Sequence, residues 1–97
     1  MSEDSPIFVF RLYVAGEAQN SVQARLNLRA LCQTYLPGRH QIEVLDVFRE
    51  PGRALEDAIF MTPTLIKLAP ASVRRIVGTL SQTESVLLAL GLEDQVP

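Results

Sequence analysis

The sequence predicts an α/β fold of order β-α-β-α-β-β-α, with a four-stranded mixed sheet and helices on both faces. Three observations carry this prediction. Residues 7–14 are almost continuously apolar and rich in β-branched and aromatic types, as expected of a strand covered on both faces. A second strand pattern, residues 41–48, alternating at first and then mostly apolar, follows only after a helical stretch long enough for a right-handed crossover, so the two strands should be parallel. Thr62-Pro63-Thr64 then divides a short helical pattern from a third, mid-chain strand. Pro63 fixes its own φ and biases Thr62 away from the helical region.

Residues 1–6 are acidic and polar and are expected to be loose, as are residues 93–97. The first strand is interrupted by Arg11, which either lies at the sheet rim or pairs with a neighbour. Asn20 or Ser21 is placed to cap a helix running from about 21 to 36. Ala24, Leu28, Leu31, Cys32 and Tyr35 recur at helical spacing and give it one apolar face, and Pro37-Gly38 stops it. In the second strand Ile42 and Val44 flank Glu43. Pro51 suits the first turn of a second helix, whose stripe is Ala54, Leu55, Ala58 and Ile59, with Glu56 and Asp57 towards water. The third strand covers 64–69, Pro70-Ala71-Ser72 turns the chain, and residues 73–77 return antiparallel. Ser81 and Glu84 match a capping box. Val86, Leu87 and Leu90 form the face of the last helix, and Gly91 ends it. One domain over 1–97, ordered from about 7 to 92, is expected.

Composition narrows the function classes. A net charge of −2 argues against nucleic-acid binding, which needs a dense basic face. No apolar run approaches the ~18 residues of a membrane span, and the polar start shows no signal peptide. Cys32 is the single cysteine, so no internal disulfide forms and a reducing cytoplasm is the expected compartment.

Candidate chemistry is sparse. The Thr-Pro-Thr entry to the third strand resembles the conserved-proline turn of thioredoxin-like folds. On that resemblance the Thr62–Pro63 bond is cis; the residues alone point instead to a trans proline opening an edge strand. A thioredoxin-like oxidoreductase needs a thiolate at the start of the first helix. The corresponding loop, Gly16-Glu17-Ala18-Gln19-Asn20-Ser21, has no cysteine, and Cys32 reads as a small core residue. Ser21 near a helix start is a faint hint of a glutathione-binding domain, but helix capping accounts for it. His40 is the sole histidine, so no zinc cluster or Ser/His/Asp arrangement can be assembled. Asp46, at a strand end, reads as a hydrogen-bonded structural acid. No catalytic residue, metal site or cofactor is expected. Lys67, Arg74 and Arg75, on adjoining strands, suggest a small basic patch beside the Pro70 turn, a rigid element that loses little entropy on binding.

The ordered set Leu12-Tyr13-Val14-Ala15-Gly16, Asn20-Ser21-Val22, Asp46-Val47, Thr62-Pro63-Thr64-Leu65 and Val73-Arg74-Arg75-Ile76-Val77-Gly78 with Leu80-Ser81 resembles the circadian clock KaiB family over about residues 7–92. The related thioredoxin-like sensor domain of clock histidine kinases is the nearest confusion, and a kinase-docking sensor module stays as an alternative reading.

The resemblance implies a non-enzymatic protein that binds a KaiC-type ATPase ring, one copy per subunit, and recruits or sequesters further clock components. It also implies two folds. In one, often a tetramer, the part after about residue 50 is rewired; the other is a thioredoxin-like monomer competent for the ring. The positions matching the family's partner contacts are Ile59, Pro63, Lys67, Pro70, Arg74 and Arg75. The chain departs from the family in three places. Pro70-Ala71-Ser72 stands for a proline run, Ala58 for a common basic residue, and Ala89-Leu90-Gly91 for Gly-Leu-Asp. Alanine inside a helix is favoured over glycine by ~1 kcal/mol. Ala89, with the Ser81/Glu84 cap and Gly91, is therefore expected to tilt the chain towards the thioredoxin-like form.

Overall fold

The computed structural model describes residues 6–92. Its elements are β1 (Phe8–Val14), α1 (Gln19–Tyr35), β2 (His40–Asp46), α2 (Pro51–Glu56), β3 (Thr64–Ala69), β4 (Arg74–Val77) and α3 (Thr83–Leu90). The expected order is borne out. The strands lie in the sheet order β2-β1-β3-β4. β1 and β2 are parallel, as the crossover requires, while β1/β3 and β3/β4 are antiparallel. Helices cover both faces of this mixed sheet.

Strand alternation builds two cores. Phe8, Phe10, Leu12 and Val14 of β1, with Leu65 of β3, face α1 and α3. There they meet Ala24, Leu28, Leu31 and Cys32 of α1 and Val86, Leu87 and Leu90 of α3, the stripes expected from helical spacing. The other face carries a smaller cluster of Tyr13, Leu45, Ala54 and Ile66, with Ile59 packed against it.

Several boundaries differ from expectation, each for a local reason. α1 begins at Gln19, and no side chain caps it. Ser21 is instead buried, and its Oγ accepts the Ala15 N–H at 2.9 Å, tying the β1–α1 loop. β2 stops at Asp46 because Arg49 and Glu50 both donate backbone N–H groups to the Asp46 carbonyl and close a turn. The Asp46 carboxylate accepts from the N–H groups of Gly16 and Phe48, the structural role expected of it. α2 ends at Glu56, and Ala58, at φ +55°, lies outside it. β4 starts one residue later than expected, at Arg74. α3 starts at Thr83 with Gln82 as its uncapped N-terminal flank, so the Ser81/Glu84 capping box is not made. The chain reaches α3 through Leu80 at φ +64°, and the Ser81 hydroxyl takes a bond from Thr79 rather than serving the helix. Gly91 does end α3, at φ +73°. The Leu92 N–H returns to the Leu87 carbonyl at 2.7 Å, and Leu92 is fully buried behind it.

The Thr62–Pro63 bond is cis, as are Ala69–Pro70 and Ala71–Ser72. The loose ends expected at 1–6 and 93–97 lie outside the described residues except for Pro6, which is exposed. No helix among the described residues is long and apolar enough to cross a membrane.

Candidate partner-binding surface

The six candidate contact residues do not form one patch. Strand register decides this: Lys67 pairs with Arg74 and Ile66 with Arg75, so side chains of consecutive residues leave on opposite faces. Lys67 and Arg74 therefore share the α1/α3 face, while Arg75 shares the α2 face. The expected basic patch of three is divided.

On the first of these faces Lys67 is only 4% exposed, with its ammonium 5.8 Å from the centre of the Phe8 ring. Burial first, and then the charge of Arg74, push the ammonium below the ordinary lysine value. Arg74 itself is exposed.

On the other face Arg75 donates to the backbone carbonyls of Asp57 and Ala58 at the end of α2. Ile59 is half-buried against Tyr13, Leu45, Ala54 and Ile66. Pro63 is buried, and its carbonyl accepts the Gly78 N–H at 2.9 Å. Thr64 Oγ1 donates to the Met61 carbonyl, which fixes the turn before β3. Pro70 is half-buried at the far end of β3. Ser81, Glu84 and Ala89 are exposed around α3.

The α2–β3 junction also carries two residues with no role in the sequence reading, Phe60 and Met61, beside one expected to be buried, Leu55. Leu55 is 77%, Phe60 86% and Met61 64% exposed. Helical spacing places Leu55 in the apolar stripe of α2. In a helix of six residues, however, Ala54 takes the place on the sheet, and Leu55 is turned a further 100° or so towards solvent. Two bulky apolar residues at 60 and 61, in a non-strand loop directly before Thr62-Pro63, were a readable signal of a surface feature.

A polar cluster holds this junction to the sheet. Asp57, expected to face water, accepts from Arg11 Nη1 at 2.9 Å and from the Tyr13 hydroxyl. Arg11 also reaches Glu43, which receives two bonds from Arg53, at 2.8 and 3.0 Å. Arg11 thus pairs with neighbours, one of the two roles left open for it. The Tyr13 hydroxyl and the Arg11 guanidinium hold the Asp57 carboxyl below the usual carboxylate range. Burial, reinforced by Asp57, pushes the Tyr13 hydroxyl up to about 12.

The loop and first helical turn from Gly16 to Ser21 carry no cysteine, and Cys32 is in the core as expected. Burial pushes its thiol up to about 12, the opposite of what a nucleophile needs.

Fold and surface together define a thioredoxin-like domain with an exposed apolar α2–β3 junction and a buried cysteine. Solved structures agree on the fold. Chloroplastic thioredoxin z superposes with a TM-score of 0.74 at 15% identity, covering 91% of this chain and 80% of that one. The N-terminal domain of Synechococcus elongatus SasA does so with 0.64 at 21% identity, covering 91% and 85%. The KaiB domain model matches residues 11–92. The chain belongs to the KaiB family of circadian clock proteins. It is 43% identical over 94 residues to circadian clock protein KaiB3 of Synechocystis sp., spanning 92% of each chain. It is 46% identical over 85 residues to the circadian clock oscillator protein KaiB of Prochlorococcus marinus, spanning 88% of this chain and 73% of that one.

Proposed function

We propose that this chain is a non-catalytic cytoplasmic protein, acting as one domain, that binds a KaiC-type ATPase ring and regulates a circadian or clock-like timing or stress system. The observation that carries the reading is the exposed trio Leu55, Phe60 and Met61 beside buried Pro63, in a member of a clock-protein family. Fully burying a side chain of this kind is worth about 1.5–3 kcal/mol. Ile59 anchors the chain before Phe60 to the smaller core, Pro63 is buried just after Met61, and Arg75 fixes the end of α2 by its backbone. Arg74 and Pro70 form a second contact group, in which exposed Arg74 supplies a positive charge suited to a carboxylate on the ring and buried Lys67 supports the strand beneath it.

Regulation works by population shift. The ring takes only the thioredoxin-like arrangement and so draws material from a second, dimeric or tetrameric one in which residues after about 50 are rewired. The bound form then offers its remaining surface to further clock components.

Size-exclusion chromatography of the chain with a KaiC-type hexamer and ATP tests the reading. Co-elution is expected, and Leu55→Ser with Phe60→Ser should weaken it at least about tenfold. Leu88→Ser, at an exposed position on α3, should leave it unchanged. A chain that stays apart from the ring in every nucleotide state overturns the proposal.

A further inference from the structure

α2 is held to the sheet in an unusual way. It has six residues, too few for a helix to persist unaided, and Ala54 is the one it buries. An alanine methyl is a weak apolar anchor, Leu55 beside it faces water, and Ile59 beyond the helix adds one half-buried side chain against the same cluster. The polar ties are more numerous. The one Tyr13 hydroxyl proton is shared between the Arg53 carbonyl, at 3.1 Å, and the Asp57 carboxylate. Arg11 joins Asp57 to Glu43, Glu43 holds Arg53 by both oxygens, and Arg75 of β4 grips the Asp57 and Ala58 carbonyls. These ties come from β1, β2 and β4, so every part of the sheet beneath α2 except β3 contributes one.

We propose that α2 and the residues up to Ile59 form a strap, latched to the sheet by the Arg11–Asp57–Tyr13–Glu43–Arg53 cluster and Arg75, that opens as a unit while the four strands stay paired. The ladders of β1 with β2 and β3, and of β3 with β4, do not run through α2. The larger core lies on the opposite face. Lifting the strap exposes the small cluster of Tyr13, Leu45 and Ile66 and leaves that larger core intact. Because the ion pairs are part-exposed, the latch is weakened by salt, whereas the apolar core is not. The strap carries Leu55 and leads into Phe60 and Met61, so its opening moves the apolar junction. The inference stands without any particular partner.

Native-state hydrogen exchange reads it directly. The reporters are the amides of Ala54, Asp57 and Ile59, bonded within the strap and its flank, against those of β1. Between about 0.05 and 1 M sodium chloride the strap amides should exchange several-fold faster while β1 amides do not change. Asp57→Asn should accelerate the strap amides at least about tenfold at low salt, and Glu43→Gln, at the exposed rim, by a few-fold. Strap and β1 amides that accelerate together, or strap amides indifferent to salt, overturn the proposal. The salt series on the unaltered chain decides it even if Asp57→Asn does not fold.

Discussion

Tyr13 shows how much a single residue does in this chain. Its ring fills the smaller core, and its hydroxyl serves both Arg53 and Asp57. Tyr13→Phe keeps the ring and removes the hydroxyl donor, leaving the Asp57 carboxylate to Arg11 and the Arg53 carbonyl to the Asp57 N–H, so a loss of about 1 kcal/mol is expected, read as a lower urea midpoint at unchanged slope. Sequence revealed half of this network. Arg11 announced itself by breaking an apolar run. Asp57 did not, because on the helical pattern it faces outward and its partner Arg11 lies 46 positions earlier. Ser21 was similar: a hydroxyl beside a helix start reads as a cap, and only the loop geometry shows that it serves Ala15.

Among the elements, β1, α1 and β3 were legible because each has a strong period or a proline at its border. The second half of the chain was less so. Dividing Lys67 and Arg74 from Arg75 needs the β3/β4 register, which composition does not contain. α2 is the element most open to adjustment. Gly52 lies within it, at no positive φ, and a Cβ there would meet nothing within 4 Å. Gly52→Ala should therefore stabilise the protein by about 0.5–1 kcal/mol, measured by urea unfolding, and slow exchange of the α2 amides. The reverse change tests α3. Ala89 is exposed in that helix. On the proposed two-state reading, Ala89→Gly should cost the helical form about 1 kcal/mol and raise the other form about fivefold in an NMR count of states. An unchanged ratio removes Ala89 from the account. The Ser81/Glu84 cap adds nothing to that bias in this arrangement, since its bonds are not made.

For the whole molecule, the ionisable groups set the pH limits of stability. The Asp57 and Glu43 carboxyls are held low by the Tyr13 hydroxyl and Arg11, and by Arg53 and Arg11, respectively. Their contribution is present above the unfolded carboxyl values of about 3.9–4.3 and is lost as pH falls through the lower folded values. Tyr13 and Cys32 are raised to about 12, so their contributions are complete below the unfolded values and disappear as pH climbs towards 12. Urea midpoints measured across pH should form a plateau that drops below about 4 and above about 9, with a shallower acid limb in Asp57→Asn.

The sheet order has one more consequence. Within the sheet, the strands before residue 50 pair with those after it along a single seam, where β1 runs against β3 from Val9 to Tyr13. A polypeptide severed at that point keeps β1, α1 and β2 but bares one flank of β1, a row of amides and carbonyls with nothing to bind. Such a half is a template that accepts whichever strand arrives first, so it should clump when made alone and recover as a soluble pair when its missing half is made alongside it.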